Sequence, residues 1–143
     1  MNNYQRPYYP RRPVKSFQDL EVYQKLLAVS VAVAKNIKFE KITVIALDLP
    51  VKIAAAHSIR FSDQPGAIAK LEEAMLDCNI LVVYLEQYRD VENPSTGSGQ
   101  ANIETEFFEE QIKNLLTTRM KVMHLQMSWK KFAQTRTLER QSK

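Results

Sequence analysis

Between Ile42 and Phe61 the chain reads ITVIALDLPVKIAAAHSIRF, apolar or small almost throughout, with Pro50 near its centre and only Asp48, Lys52 and Arg60 charged. Ile42, Ile45, Ala46, Leu49, Ile53 and Ala56 recur at three- and four-residue steps, the spacing of one helix face. A proline inside a helix removes a backbone hydrogen bond and crowds the preceding turn, at a cost of about 3 kcal/mol. A helix that keeps one must recover the loss by packing. The stretch therefore predicts a kinked helix in the middle of a core.

The rest of the composition agrees with a helical chain. Gly66, Gly97 and Gly99 are the only glycines in 143 residues, too few for the many tight turns of an all-β protein. That length suits one domain with one core. Cys78 is the single cysteine, so neither an internal disulfide nor a cysteine metal cluster is available, which fits a reducing, cytoplasmic setting. The first thirty residues lack the apolar core of a signal peptide, and no apolar run is expected to span a membrane.

Charge is unevenly spread. Residues 1–41 carry a net +5, residues 42–110 a net −8 and residues 111–143 a net +7. Basic termini around an acidic middle fit an anionic partner, and equally fit complementary helices packing on one another.

Taken in order, residues 1–15 hold Pro7, Pro10 and Pro13 among tyrosines and arginines, which predicts a flexible, disordered basic arm. Ser16 with Asp19 suggests a capping box opening a first helix from Phe17 to about Lys38. Two apolar stripes run along it. Phe17, Leu20, Tyr23, Leu27, Val31 and Ala34 form one, and Val22, Leu26, Val29 and Val33 the other. A break at Ser62–Gly66 precedes a third helix, from about Gln64 to Asp90, that is rich in acids and has Cys78 on its apolar face as a packed thiol. Residues 92–101, ENPSTGSGQA, read as a flexible loop; with no Lys-Ser/Thr pair after it, it is no phosphate-binding loop. A last helix, from about Ile103 to Thr135, again carries two stripes: Phe108, Ile112, Leu115, Val122, Leu125, Trp129 and Phe132 on one side, Leu116, Met120, Met123 and Met127 on another. Helices with two apolar stripes need cover on two sides, so Val22, Leu26, Val29, Val33, Leu116, Met120, Met123 and Met127 are expected at an interface between subunits.

Catalytic signatures are missing. His57 and His124 fall on different helices, and neither has the glutamate three residues earlier that a di-iron bundle requires. No nucleophile elbow, nucleotide fingerprint or zinc-protease motif is present. The chain is expected to be no enzyme and to need no cofactor and no metal.

Two segments carry a resemblance. SFQDLEVYQKLLAVSVAVAKNI, with Phe17, Asp19, Leu20, Tyr23, Gln24 and Lys25, is similar to the opening helix of the four-helix bundle family of 23S ribosomal RNA intervening sequence proteins. Asp48–Ala56 resembles that family's second-helix segment, keeping the proline and the Ile-Ala pair while Lys52, Ala55 and Ala56 replace its Asn, Glu and Gly. The layout is also similar to the accessory-protein branch of diversity-generating retroelements. The short connections near 39–41 and 62–66 predict an all-α, antiparallel up-down four-helix bundle over residues 16–136, with the disordered N-terminal arm before it and a basic tail at 137–143, and the resemblance implies the same bundle. It further implies a homopentamer that works beside a reverse transcriptase and its RNA template.

The expected function is that of an oligomeric, nucleic-acid-binding accessory protein, with RNA or DNA as partner and no membrane. The expected contacts are Arg6, Arg11, Arg12, Lys52, Lys113, Lys121, Lys130, Lys131, Arg136 and Arg140. The alternative is a structural or protein-interaction bundle that binds no nucleic acid.

Overall fold

The computed structural model describes residues 15–92 and 103–141. The expected arm before Lys15 and nearly all of the Gly/Ser-rich loop lie outside those residues. A 3₁₀ turn, Phe17–Asp19, leads into four helices: α1 Glu21–Asn36, α2 Glu40–Ile59, α3 Gln64–Val91 and α4 Thr105–Gln141.

Local chemistry sets these boundaries. The Ser16 hydroxyl accepts from the Gln18 amide while Asp19 accepts from the Ser16 amide, closing the expected capping box. The box caps a 3₁₀ turn, though, because Leu20 is extended (φ −72°, ψ 128°) and α1 starts only after it. At the α2–α3 corner, Asp63 caps α3 by accepting from the Gly66 amide at 3.0 Å, with Pro65 in the first turn. A Cβ on residue 66 would meet the Asp63 carboxylate at 2.1 Å, so a side chain there would push the carboxylate aside and loosen the cap.

The helices form an antiparallel up-down bundle in which each packs on its neighbours in sequence, and α1 meets α4 along a narrower seam. Cross-links fix the register. Lys52 on α2 pairs with Asp77 on α3. Gln126 on α4 donates to the Ile68 carbonyl (3.2 Å) and to Glu72 (2.7 Å) on α3. Lys121 on α4 reaches Glu21 on α1.

α2 runs unbroken through Pro50, with Ile42, Ala46, Leu49, Ile53 and Ala56 fully buried or nearly so. Burying a side chain such as Ile or Leu stabilises by about 1.5–3 kcal/mol, so Ile42, Leu49 and Ile53 together outweigh the proline. Against expectation, α2 is long and apolar enough to cross a membrane by length and composition, with mean hydropathy 1.5. Here it packs between α1 and α3.

Two further expectations need correction. Val22, Leu26, Val29 and Val33 do not face outward: they are 5%, 0%, 2% and 0% exposed within this one chain. The extended Leu20 takes Phe17 and Leu20 out of helical register with Tyr23. That leaves the Val22 stripe, prolonged by buried Ile37, as the inward face. Leu27 and Val31 of the other stripe are the exposed ones. Second, α4 continues to Gln141, so residues 137–141 are helix and not tail. Cys78 is buried, as expected, and burial pushes its thiol up to about 12, which makes it unreactive near neutral pH.

Candidate nucleic-acid interface

α4 is the longest helix and outruns the bundle. Its register is tied at Trp129, whose carbonyl accepts from the side chain of Gln64, the first residue of α3, at 2.8 Å. Residues beyond Trp129 have no stretch of α3 beside them and extend about 18 Å further as a single helix. Lys130, Lys131, Phe132 and Arg136 lie on this overhang, all exposed.

The α2–α3 corner faces its base. Arg60 donates to the His57 carbonyl at 2.6 Å and approaches His57 Nδ1 at 3.2 Å, so that ring nitrogen is the acceptor and Nε2 carries the proton. The Arg60 guanidinium lies 4.2 Å over the Phe61 ring. The His57 ring packs against Trp129, with centroids 6.4 Å apart. Burial first, then the Arg60 charge, hold the His57 imidazole below its ordinary range, while Asp19 pulls the other way. The Phe17–Asp19 turn packs against α2, so the start of the described chain lies at this same end. Phe61 and Phe132 are 69% and 60% exposed, and a concavity of about 290 Å³ lies among Arg60, Phe61, Trp129, Phe132 and Arg136. A second, shallower depression beside it is lined by Lys130, Lys131 and Met127, and the two share Ser128.

The expected contact residues divide sharply. Lys130, Lys131 and Arg136 all lie on the overhang, pointing to different sides of it, and make no ion pair among the described residues. Lys113 is exposed but sits beside Glu110 in the α1–α4 groove, far down the helix. Lys121 is held by Glu21, whose carboxyl is lowered chiefly by that hydrogen bond. Lys52 is a correction. Its side chain is only 20% exposed and is engaged by Asp77, with Asp48 at 3.5 Å, so it is a strut between α2 and α3. Burial works against its charge, but the Asp77 contact prevails and the ammonium is held above its usual range. Arg6, Arg11 and Arg12 and the side chain of Arg140 lie outside what the structure describes.

Arg60 and Phe61 were not among the expected residues. Their signal was the Arg-Phe pair placed just before the Ser-Asp-Gln-Pro-Gly corner, where a helix ends and side chains splay outward.

The stripe Leu116, Met120, Met123 and Met127 is exposed, as its spacing predicted. Met123 shares a groove between α3 and α4 with Leu76 and with Arg119, whose Nε is buried without a hydrogen-bond partner. Among the described residues no cluster of His, Cys, Asp and Glu is arranged to hold a metal ion. Comparison of the chain with family models, with curated proteins and with solved structures gives no match.

Proposed function

We infer that the chain is a non-enzymatic, homo-oligomeric accessory protein that binds nucleic acid through the basic end of its bundle. One observation carries the reading. Lys130, Lys131 and Arg136 stand exposed on one helical overhang with no carboxylate partner among the described residues; Lys25, Lys52, Lys70, Arg89 and Lys121 each have one. The other exposed, unpaired lysines of the helices and the α1–α2 connection, Lys35, Lys38, Lys41 and Lys113, stand toward the end that carries Glu40, Glu86, Asp90, Glu109 and Glu110. Exposed, unpaired cations on one short length of helix bind polyanions by releasing the counterions condensed on phosphate. The C-terminal helix dipole does not account for them, because its field fades within the last turn and Lys130 and Lys131 lie two to three turns earlier.

Self-association is supported by the exposed Leu116–Met127 stripe and the unsatisfied Arg119 Nε beside it. The resemblance of the first two helices extends the proposal to a ring of five subunits serving a reverse transcriptase and its RNA template. The same apolar stripe also favours the second reading, a scaffold that joins proteins only. Two measurements separate them. Titrating structured RNA and duplex DNA at increasing salt should give a log–log slope near −3 per protomer, about 0.9 for each of three neutralised phosphates. No retention of either at low salt transfers the conclusion to the scaffold reading. Light scattering should give a multiple of the 16.6 kDa chain mass; a monomer at micromolar concentration removes the oligomer.

A further inference from the structure

We propose that the concavity between the α2–α3 corner and the α4 overhang is a stacking subsite for one unpaired nucleobase with its phosphate, so that the protein prefers single-stranded nucleic acid to duplex. This deepens the polyanion reading above and rests on it.

The other concavities argue against themselves. The α1–α4 groove contains Glu110, and the α3–α4 groove contains Glu72 and Glu73, carboxylates that repel a phosphate. The depression beside Lys130 and Lys131 has the His124 imidazole as its one ring and no guanidinium in its wall. Among the described residues, the end concavity combines aromatic rings with guanidinium groups and has no carboxylate in its wall. Its volume, about 290 Å³, lies at the small end of the range for ligand sites and suits a single nucleotide.

Its walls are fixed before any ligand arrives. The Gln64–Trp129 hydrogen bond ties α3 to α4, and Arg60 is pinned to the His57 carbonyl. Arg60 covers one face of Phe61, which leaves the opposite face as a platform. Phe132 offers a second exposed ring from α4, and Arg136, one turn on, is placed for the phosphate. Stacking needs an accessible π-face, which a paired base inside a duplex does not present. Lys130 and Lys131, reached past the shared Ser128, continue the path for neighbouring phosphates. Charge complementarity and exposed rings together select an unpaired nucleotide. An acidic, aromatic peptide is the competing occupant and becomes an arm of the test.

Trp129 is the only tryptophan of the chain and lines this concavity, so its fluorescence reports on the site directly. The full-length protein is titrated with oligo(dT), a duplex of equal length, heparin and poly-glutamate, following Trp129 emission and, separately, binding by anisotropy competition. The expected result is quenching by oligo(dT) with little change from heparin or duplex, although both bind. Phe61→Ala and Phe132→Ala are each expected to weaken oligo(dT) binding by about 5- to 150-fold. Both should leave duplex affinity and the salt slope unchanged, while Phe61→Trp and Phe132→Tyr retain the preference. Both phenylalanines are well exposed, so truncation leaves the fold intact, and circular dichroism checks this. The proposal is overturned if the alanine variants bind oligo(dT) as the native chain does, or if heparin or duplex perturbs Trp129 equally. In that case general polyanion binding survives. Poly-glutamate binding at this site in preference to oligo(dT) replaces the nucleotide with an acidic peptide. Absence of binding to every polyanion removes the subsite and the broader function together.

Discussion

The two ends of the bundle are built from the same four helices and behave oppositely. At the end where α3 gives way to α4, the helices carry Glu86, Asp90, Glu106, Glu109 and Glu110, with Glu92 and Glu104 flanking them, and Arg89 is paired with Asp90 at 2.9 Å. Lys35, Lys38 and Lys41 join them from the α1–α2 connection, where Lys38 also donates to the Ala34 carbonyl at 3.2 Å. Positive charge there sits among negative charge. At the opposite end, Asp19 and Asp63 are engaged as caps by backbone amides, and among the described residues Arg60, Lys130, Lys131 and Arg136 make no ion pair, with Glu139 the one acid on the overhang itself. A lysine count alone would rate the two ends alike. What separates them is whether carboxylates stand near and whether those carboxylates are already occupied.

Reversing charges at each end is the strongest way to break this contrast. Lys130→Glu, Lys131→Glu and Arg136→Glu together should reduce nucleic-acid affinity at low salt by a hundredfold or more and remove most of the slope against salt. The same change at Lys35, Lys38 and Lys41 should leave affinity within a few fold. Equal losses from both sets, measured by anisotropy across a salt series, would mean that net charge matters and location does not.

A paired cation should answer in stability instead. Lys52→Met leaves Asp77, only 17% exposed, without its main partner. The expected cost is about 2 kcal/mol in denaturant unfolding, below that of a fully buried pair because both groups retain some water. Affinity for nucleic acid should not change. A variant as stable as the native chain would show that the strut contributes nothing net.

The smallest effect concerns pH and sharpens the picture of the basic end. The His57 imidazole titrates below its ordinary value of 6.5 in the folded chain, so between the two values the unfolded chain holds more protons. Stability is therefore complete above about pH 6.5 and declines as pH falls below it. Protonation also removes the Nδ1 acceptor facing Arg60. Thermal melts from pH 7.5 to 5 should fall more steeply for the native chain than for His57→Gln. Parallel curves would remove His57 as the cause.

Much of the fold was legible in the residues. Ile42 to Ala56 marked a buried helix because proline tolerance and apolar spacing coincide there, and Ser62 to Gly66 marked a corner because its cap and its glycine are local chemistry. The inward face of α1 was not legible. Both of its stripes are apolar, and the choice turns on one extended residue, Leu20, that removes Phe17 from the helical register. The end site was half legible. Lys130, Lys131 and Arg136 follow from spacing, but that none of them forms an ion pair among the described residues is a matter of tertiary placement. Lys52 looked as free as they do, and only its position opposite Asp77 distinguishes it.

The narrow seam between α1 and α4 has a consequence for how the chain acquires its shape. Every other major interface joins helices adjacent along the chain, so most native contacts close short loops, and such topologies fold fast. The α2–α3 hairpin, with buried Leu49, Ile53 and Leu71 and the Lys52–Asp77 strut, is the natural nucleus. Joining α1 to α4 closes the one long loop and comes last. On a ribosome, three helices can settle against one another before the basic overhang of α4 has been synthesised.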